Sequence, residues 1–212
     1  MTHEVKVHPL FSPWGRFGLY SFFIDAPEPA IVDTGIASSP AEGMVPALEA
    51  LGRSIEEVRW ILLTHGHIDH LGGTHALSVL TGGRAKVVIH EADVHLLRSR
   101  RAHVDRYLDV RRQYLDNPHA EEEQATMADA VISGEMEPDV LLKGGETLSL
   151  GGDVTVSCIP CRATPPDRSP TSSTARMTCS PATPCRSMGP PTASPATRTR
   201  PPTDPACGTC VT

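Results

Sequence analysis

A ten-residue segment, Thr64–Gly73, places three imidazoles and a carboxylate within six residues, directly after an apolar run. Neutral imidazole and carboxylate are the ligands that suit zinc and similar transition metals. Alternate residues of a strand-like segment share a face, so His65 and His67 can reach one metal. Asp69 and His70 then begin the next helix and can reach a second metal. The segment therefore predicts a metal centre, and surface histidines on a polar loop are the alternative interpretation.

This pattern, H-x-H-x-D-H, resembles the metal-binding signature of the metallo-β-lactamase superfamily. Ile31–Gly35 is similar to the early strand-and-turn element of that family, and Lys86–His90 is similar to the strand after its motif helix. The resemblance covers roughly residues 5–160. It implies an α/β fold, the αβ/βα sandwich of the metallo-β-lactamases, which is incomplete at the C-terminus of this chain.

The resemblance also implies a cofactor and a reaction. His65 and His67 would bind the first of two Zn²⁺ ions, or another transition metal, and Asp69 and His70 would help bind the second. Metal-bound hydroxide would then attack an ester, a thioester or a lactone, as in the glyoxalase-II-like and lactonase branches. Asp69 would be the catalytic residue that orients the nucleophile. Asp33 resembles a family position at the sheet end and is expected to be structural.

Composition and charge favour a small-molecule substrate. The formal net charge of −6 gives no indication of a nucleic-acid or anionic-membrane partner. No apolar stretch approaches the length of a membrane span, and the first residues lack the basic and apolar regions of a signal peptide. A cytoplasmic location is the default expectation, and the oligomeric state stays open.

Residues 1–160 are predicted to form one domain of alternating strands and helices. Strands are expected at 18–25, 30–33, 58–63, 85–89, 139–142, 147–150 and 154–159. One helix should begin near Pro40 and end at Gly52, and the motif helix should cover 69–80.

A segment at about 91–134 interrupts this pattern with helical spacing and a cluster of arginines followed by three glutamates. Charged runs of this kind are usually solvated helical faces. The alternative is a helical insertion that covers the metal cleft and shapes substrate choice. His90, His95, His103 and His119 are expected to be structural or surface residues, although His90 could lie near the site because it ends a strand.

Residues 161–212 have a different composition. They contain no Phe, Tyr, Trp, Leu, Ile or Lys, whereas they hold five of the six cysteines and more than half of the prolines. Such a segment cannot bury enough apolar surface to offset its ordering entropy, so little regular structure is expected. A natural disordered tail and a disulfide module are two interpretations, the second disfavoured by the cytoplasmic character of the body.

A frameshifted translation is the third interpretation, and the genetic code favours it. When the third base of each codon is read with the first two bases of the next, residues 161–168 permit PGHTPGS and residues 177–185 permit DVLTGDAV. The two strings resemble the third metal-ligand histidine and the bridging aspartate of the family, in the right order and in one shifted frame. Between them the same frame permits VAYVVDGQD, which resembles a strand and a turn.

Two alternative functions follow. The chain as printed could be an inactive fragment, because it lacks the third histidine and the bridging aspartate. It could also be a di-iron redox protein of the same fold. That branch normally carries a glutamate two residues after the first motif histidine, and His67 stands there instead, which favours a hydrolase.

Overall fold

The motif lies at the carboxyl end of a central strand in a mixed six-stranded sheet. The computed structural model describes residues 5–111, 117–162 and 173–181, with residues 110–111, 160–162 and 173–181 described by their backbone alone. All of them belong to the first of two compact units, Met1–Ala182.

The strands form two sheets. The first sheet contains β1 (Lys6–Trp14), β2 (Phe17–Asp25), β3 (Ala30–Val32), β4 (Trp60–Leu62), β5 (Lys86–His90) and β6 (Val140–Leu142), in that spatial order. β1, β2 and β3 pair antiparallel, whereas β3 to β6 pair parallel. The second sheet is antiparallel and contains β7 (Thr147–Ser149), β8 (Val154–Arg162) and β9 (Ser173–Pro181).

Helices connect the parallel strands. They are α1 (Val45–Ala50), α2 (Ile68–Leu71), α3 (Thr74–Leu80), α4 (Val94–Arg98), α5 (Arg100–Arg111) and α6 (Ala120–Val131). A π-helical turn at Pro40–Met44 precedes α1, and 3₁₀ turns lie at Ile55–Glu57 and Glu91–Asp93. Among the described residues no helix is both long enough and apolar enough to span a membrane.

The central strands are covered on both faces, as their nearly continuous apolar sequence predicts. On one face Ile61 and Val87 pack against the helices, and on the other Leu62 and Val88 pack against the second sheet. All four side chains are fully buried. The predicted α/β sandwich is therefore confirmed over the described part of the chain, and it fixes β4 rigidly before the motif.

Two predicted elements differ in detail from the structure. The sequence analysis did not predict β1, whose Pro9 and Pro13 argue against an interior strand; β1 lies at the edge of the sheet, where prolines are tolerated. The single helix predicted over 69–80 is two helices, α2 and α3. The break falls at Gly72 and Gly73, because the N–H of Gly73 donates to the carbonyl of Gly35 instead of to a carbonyl of α2.

The 91–134 segment forms α4, α5 and α6 where it is described. It packs onto the rest of the domain through buried Val104, Leu108 and Val131, with Ile68 of α2 and Trp14 of the β1–β2 hairpin against them. Its charges are mostly exposed, as expected of solvated faces, but its apolar face lies against the motif helix. The segment therefore has both solvated faces and an apolar face that packs on the domain, and its effect on substrate choice stays a prediction.

The tail contains one described element, the strand β9. It pairs with β8 along nine residues, from Val154 opposite Pro181 to Arg162 opposite Ser173. β9 is regular structure in a segment where little was expected, and its ladder satisfies backbone groups of β8 whatever side chains β9 carries. The rest of 163–212 lies outside the described residues, so the frameshift stays a hypothesis.

The burial of β4 gives a test of this core. We expect Ile61→Ala to lower the free energy of unfolding by roughly 2–5 kcal/mol, because the side chain is fully buried between sheet and helices. Val79→Ala, on α3 and 64% exposed, should change it by less than about 0.5 kcal/mol. Urea denaturation followed by circular dichroism measures both. Equal effects would contradict this packing.

Candidate metal centre

Asp33 is the residue around which the site is built. It follows β3, it is 3% exposed, and it adopts a left-handed backbone conformation with φ 59°, which is rare for a residue other than glycine. Its Oδ1 accepts hydrogen bonds from the backbone N–H and the hydroxyl of Thr64, both at 2.9 Å. Its Oδ2 lies 2.8 Å from Nδ1 of His70. The carboxylate thus joins the end of β3 to both ends of the motif.

The contact with Asp33 determines the tautomer of His70. An ionised carboxylate only accepts, so Nδ1 carries the proton and, in the neutral imidazole, Nε2 keeps a lone pair. Nε2 lies 3.7 Å from Oδ2 of Asp69. The backbone carbonyl of His70 also accepts from the N–H of Thr34 at 2.7 Å, which fixes the start of α2 against β3. Carboxylate–histidine pairs of this kind orient metal ligands.

A second hydrogen-bond relay orients His65. The hydroxyl of Thr64 donates to Asp33 and therefore accepts from Nδ1 of His65, 3.0 Å away. The opposite nitrogen of that ring, Nε2, then presents its lone pair. It lies 3.0 Å from Nδ1 of His67. The rings of His65 and His70 are also adjacent, with 4.0 Å between centroids.

The loop that carries these histidines is packed tightly. A Cβ on Gly66 would collide with Leu96 of α4, and the N–H of Gly66 donates to Oδ2 of Asp93 at 3.1 Å. A Cβ on Gly73 would meet the carbonyl oxygens of Thr34 and Ile36. Glycine is therefore required for space at both positions.

Burial and neighbouring charges set the protonation of the three motif histidines. Burial, followed by repulsion from His70 and His67, lowers the pKa of His65 to about 4. Burial, followed by the positive charge of Arg106, lowers the pKa of His67. Burial opposes protonation of His70 as well, but the hydrogen bond and charge of Asp33 outweigh it and raise the pKa. His65 and His67 are therefore neutral at pH 7, which is the form that binds metals.

These residues fit part of a metal site. Two ligands of one tetrahedral zinc ion, each bonded at about 2.0–2.1 Å, lie about 3.3 Å apart. The 3.0 Å between His65 and His67 and the 3.7 Å between Asp69 and His70 are close to that spacing. In the described part of the chain, however, no group of three or more His, Cys, Asp or Glu residues is arranged to hold a metal. Catalytic zinc sites have three protein ligands, so each pair is one ligand short.

A cavity of about 360 Å³ opens beside this cluster. Its wall comprises Gly66, His67, Ile68, Asp69, His103, Val104, Arg106, Tyr107, Gln124, Met127 and Ala128. The motif therefore forms one end of the cavity, and α5 and α6 form the other walls. This volume is at the lower end of the range for small-molecule sites.

The four predicted ligands, His65, His67, Asp69 and His70, lie together, whereas the other histidines have different roles. His90 accepts from the N–H of Ala92 and caps the turn that follows β5. His119 is largely exposed. These two agree with the structural or surface role expected of them.

Sequence analysis missed three residues near the motif. His103, expected to be structural or on the surface, lines the cavity, and burial lowers its pKa to about 4. Arg106 lines the cavity as well, and buried Asp93 holds the motif loop. All three lie in the 91–134 segment, and only the local excess of charge marked it as unusual.

Comparison with known families agrees with the geometry. The sequence profile described as the metallo-beta-lactamase superfamily matches residues 14–156. A comparison with curated protein sequences finds no match.

Solved structures show the same fold. The chain is 22% identical to a subclass B3 metallo-beta-lactamase of Bradyrhizobium japonicum, with a TM-score of 0.53 over 75% of this chain and 50% of that one. A beta-lactamase from Chitinophaga pinensis is 24% identical, with a TM-score of 0.52 over 73% and 49% of the two chains. A class B3 di-zinc metallo-beta-lactamase from an Alaskan soil metagenome is 20% identical, with a TM-score of 0.53 over 75% and 50%. The chain thus spans about half the length of these proteins, and identities this low establish the fold alone. With the profile match over most of its length, the chain belongs to the metallo-beta-lactamase superfamily.

Proposed function

We propose that this chain is a metal-dependent hydrolase of an ester, a thioester or a lactone, with zinc as the expected metal. One observation carries the proposal. Two neutral histidines, His65 and His67, face each other at 3.0 Å, and Asp69 and His70 lie beside them at the end of a small-molecule cavity. A proton on Nδ1 of His67 can bridge the two nitrogens in the metal-free chain, and a cation that replaces this proton would be held by both rings.

Each residue has a distinct part in this proposal. His65 and His67 would hold one metal ion, and Asp69 and His70 would help hold a second. Bound zinc lowers the pKa of a water molecule towards about 7, which supplies a nucleophile at neutral pH. Asp69 is 38% exposed at the cavity rim, so its carboxylate can orient that water and accept its proton.

Asp33 is a positioning residue. It is not among the residues that line the cavity, but it fixes His70 directly and His65 through Thr64. Its negative charge also makes the His70 imidazole a stronger donor to a metal.

The substrate class rests on the resemblance to the glyoxalase-II-like and lactonase branches and on the cavity. Ile68, Val104, Met127 and Ala128 give the wall an apolar part that suits an acyl chain. The beta-lactamases of similar structure support the fold, but they do not decide whether the hydrolysed bond belongs to an ester or to an amide. A panel of esters, thioesters, lactones and β-lactams therefore decides the class.

The missing ligands point to an intact gene with a shifted reading frame in the printed chain. The third histidine and the bridging aspartate can be read in the alternative frame of residues 161–168 and 177–185. The competing proposal is an inactive fragment, favoured by the absence of a three-ligand group in the described residues. Sequencing of the genomic DNA across codons 155–212 separates a sequencing error from a genuine lesion.

We expect the printed chain to bind zinc weakly and to hydrolyse esters poorly, and a frame-corrected chain to do both well, because correction completes both ligand sets. The corrected protein should purify with about two metals per chain. Elemental analysis and turnover of a thioester and a lactone measure these differences. Asp69→Ala in the corrected protein should abolish most turnover. Equal metal content and activity in the two chains would show that the printed tail is genuine.

The role of Asp33 gives a second test in the corrected chain. Asp33→Asn keeps the size but removes the charge and one acceptor oxygen, so the affinity for zinc should fall roughly 10- to 100-fold. Asp105→Asn, on exposed α5, is the matched control and should leave the affinity unchanged. Competition with a chromophoric chelator gives both dissociation constants, after circular dichroism has shown that the variants fold. A loss shared by the two variants would refute the positioning role.

A further inference from the structure

Arg106 is the one basic side chain among the described residues that line the cavity. It lies on α5, next to Val104 and Tyr107 in the same wall. Two residues of the motif, His67 and Asp69, line the same cavity. The cavity thus has the metal-ligand cluster at one side and a guanidinium in its wall.

Among the described residues, the contacts of Arg106 do not use the N–H donors of its guanidinium fully. Nη1 lies 3.7 Å from Oδ1 of Asp93, which is longer than a hydrogen bond. The other oxygen of Asp93 accepts from the N–H of Gly66. Within the described residues no hydrogen bond to the guanidinium is found, and 30% of the side chain is exposed. Asp93 therefore holds Arg106 in place by charge, and the described residues leave its planar donor face available.

We propose that Arg106 binds a carboxylate at the far end of the acyl chain of the substrate, so that the cavity selects half-esters or half-thioesters of short dicarboxylic acids. This inference rests on the proposed hydrolase function of the same site. A guanidinium presents paired N–H donors that match the two oxygens of a carboxylate. The apolar lining residues Ile68, Val104 and Met127 would contact the methylene chain.

The charges around the cavity favour a carboxylate over a phosphate. Arg106 supplies one positive charge, whereas buried Asp93 and rim residue Asp69 each supply a negative one. The negative surplus opposes a dianionic phosphate more strongly than a singly charged carboxylate. A neutral chain would make no charge-assisted contact with the guanidinium.

The reaction of such a substrate balances with water alone. Water adds its oxygen to the acyl carbon, the bond from that carbon to the alcohol oxygen or thiol sulfur breaks, and the leaving group takes a proton. The product is a dicarboxylate with one end at the motif and the other at Arg106.

Binding of a matched pair of probes tests this selectivity without turnover. Hexanoate and hexanamide are nearly equal in shape and differ in charge, and a chelator in the buffer prevents the carboxylate from binding a metal. Isothermal titration of the full 212-residue chain should show tighter binding of hexanoate. Arg106→Gln should weaken hexanoate binding roughly 10- to 100-fold, as expected for a lost charge-assisted contact, and should leave hexanamide binding unchanged.

Arg101→Gln is the matched control, because Arg101 lies on the same helix but pairs with Asp105 and Glu121 at the surface. It should leave the binding of both probes unchanged. Arg106→Lys should recover part of the loss, since it keeps the charge without the planar fork. Equal binding of the two probes, tighter binding of butyl phosphate, or equal losses in Arg106→Gln and Arg101→Gln would each overturn the assignment. Selective hexanoate binding by the printed chain, together with a frame-corrected chain that hydrolyses none of the substrates, would instead refute the hydrolase proposal alone.

Discussion

The buried carboxylate of Asp33 is the constraint on which the site depends. A carboxylate that is 3% exposed is costly unless it is hydrogen-bonded, and the chain supplies its partners from two ends of one motif, Thr64 and His70. Because Thr64 in turn orients His65, one negative charge sets the direction of two rings. The strained backbone at Asp33 is the accompanying cost, and the parallel pairing of β3 with β4 holds it in place.

Packing against the 91–134 segment fixes the motif loop from the side opposite to Asp33. Asp93 follows β5 and accepts from Gly66, so the loop is held between β3 on one side and the segment on the other. The same carboxylate lies near Arg106, which links the motif to the cavity wall. Substitutions in the segment can therefore alter both the motif loop and the cavity. This dual contact explains why charged residues in a region that resembles a solvated helix are partly buried.

The sequence predicted those parts of the structure whose causes are local. The motif, the apolar run of β4 and the glycine pair each carry their own signal within about ten residues. Arg106, His103 and Asp93 could not be assigned in this way, because their positions beside His67 depend on how α4 and α5 pack against the motif loop. The strand β9 was not predicted, because the expectation for the tail rested on side-chain composition. The pairing of β9 with β8 depends on backbone groups, which every residue except proline supplies in full.

The division of the site along the chain has a physical consequence. Every described group that shapes the cavity lies before residue 129, and it is held by the first sheet and by α2, α5 and α6. Each proposed metal position lacks one ligand. The third histidine and the bridging aspartate, which would complete the two positions, can be read only in the alternative frame of the tail. Under the frameshift hypothesis, loss of these ligands would lower metal affinity and leave the cavity walls in place. Under the proposed function, substrate recognition and metal chemistry would then be separable, because different segments of the sequence would encode them.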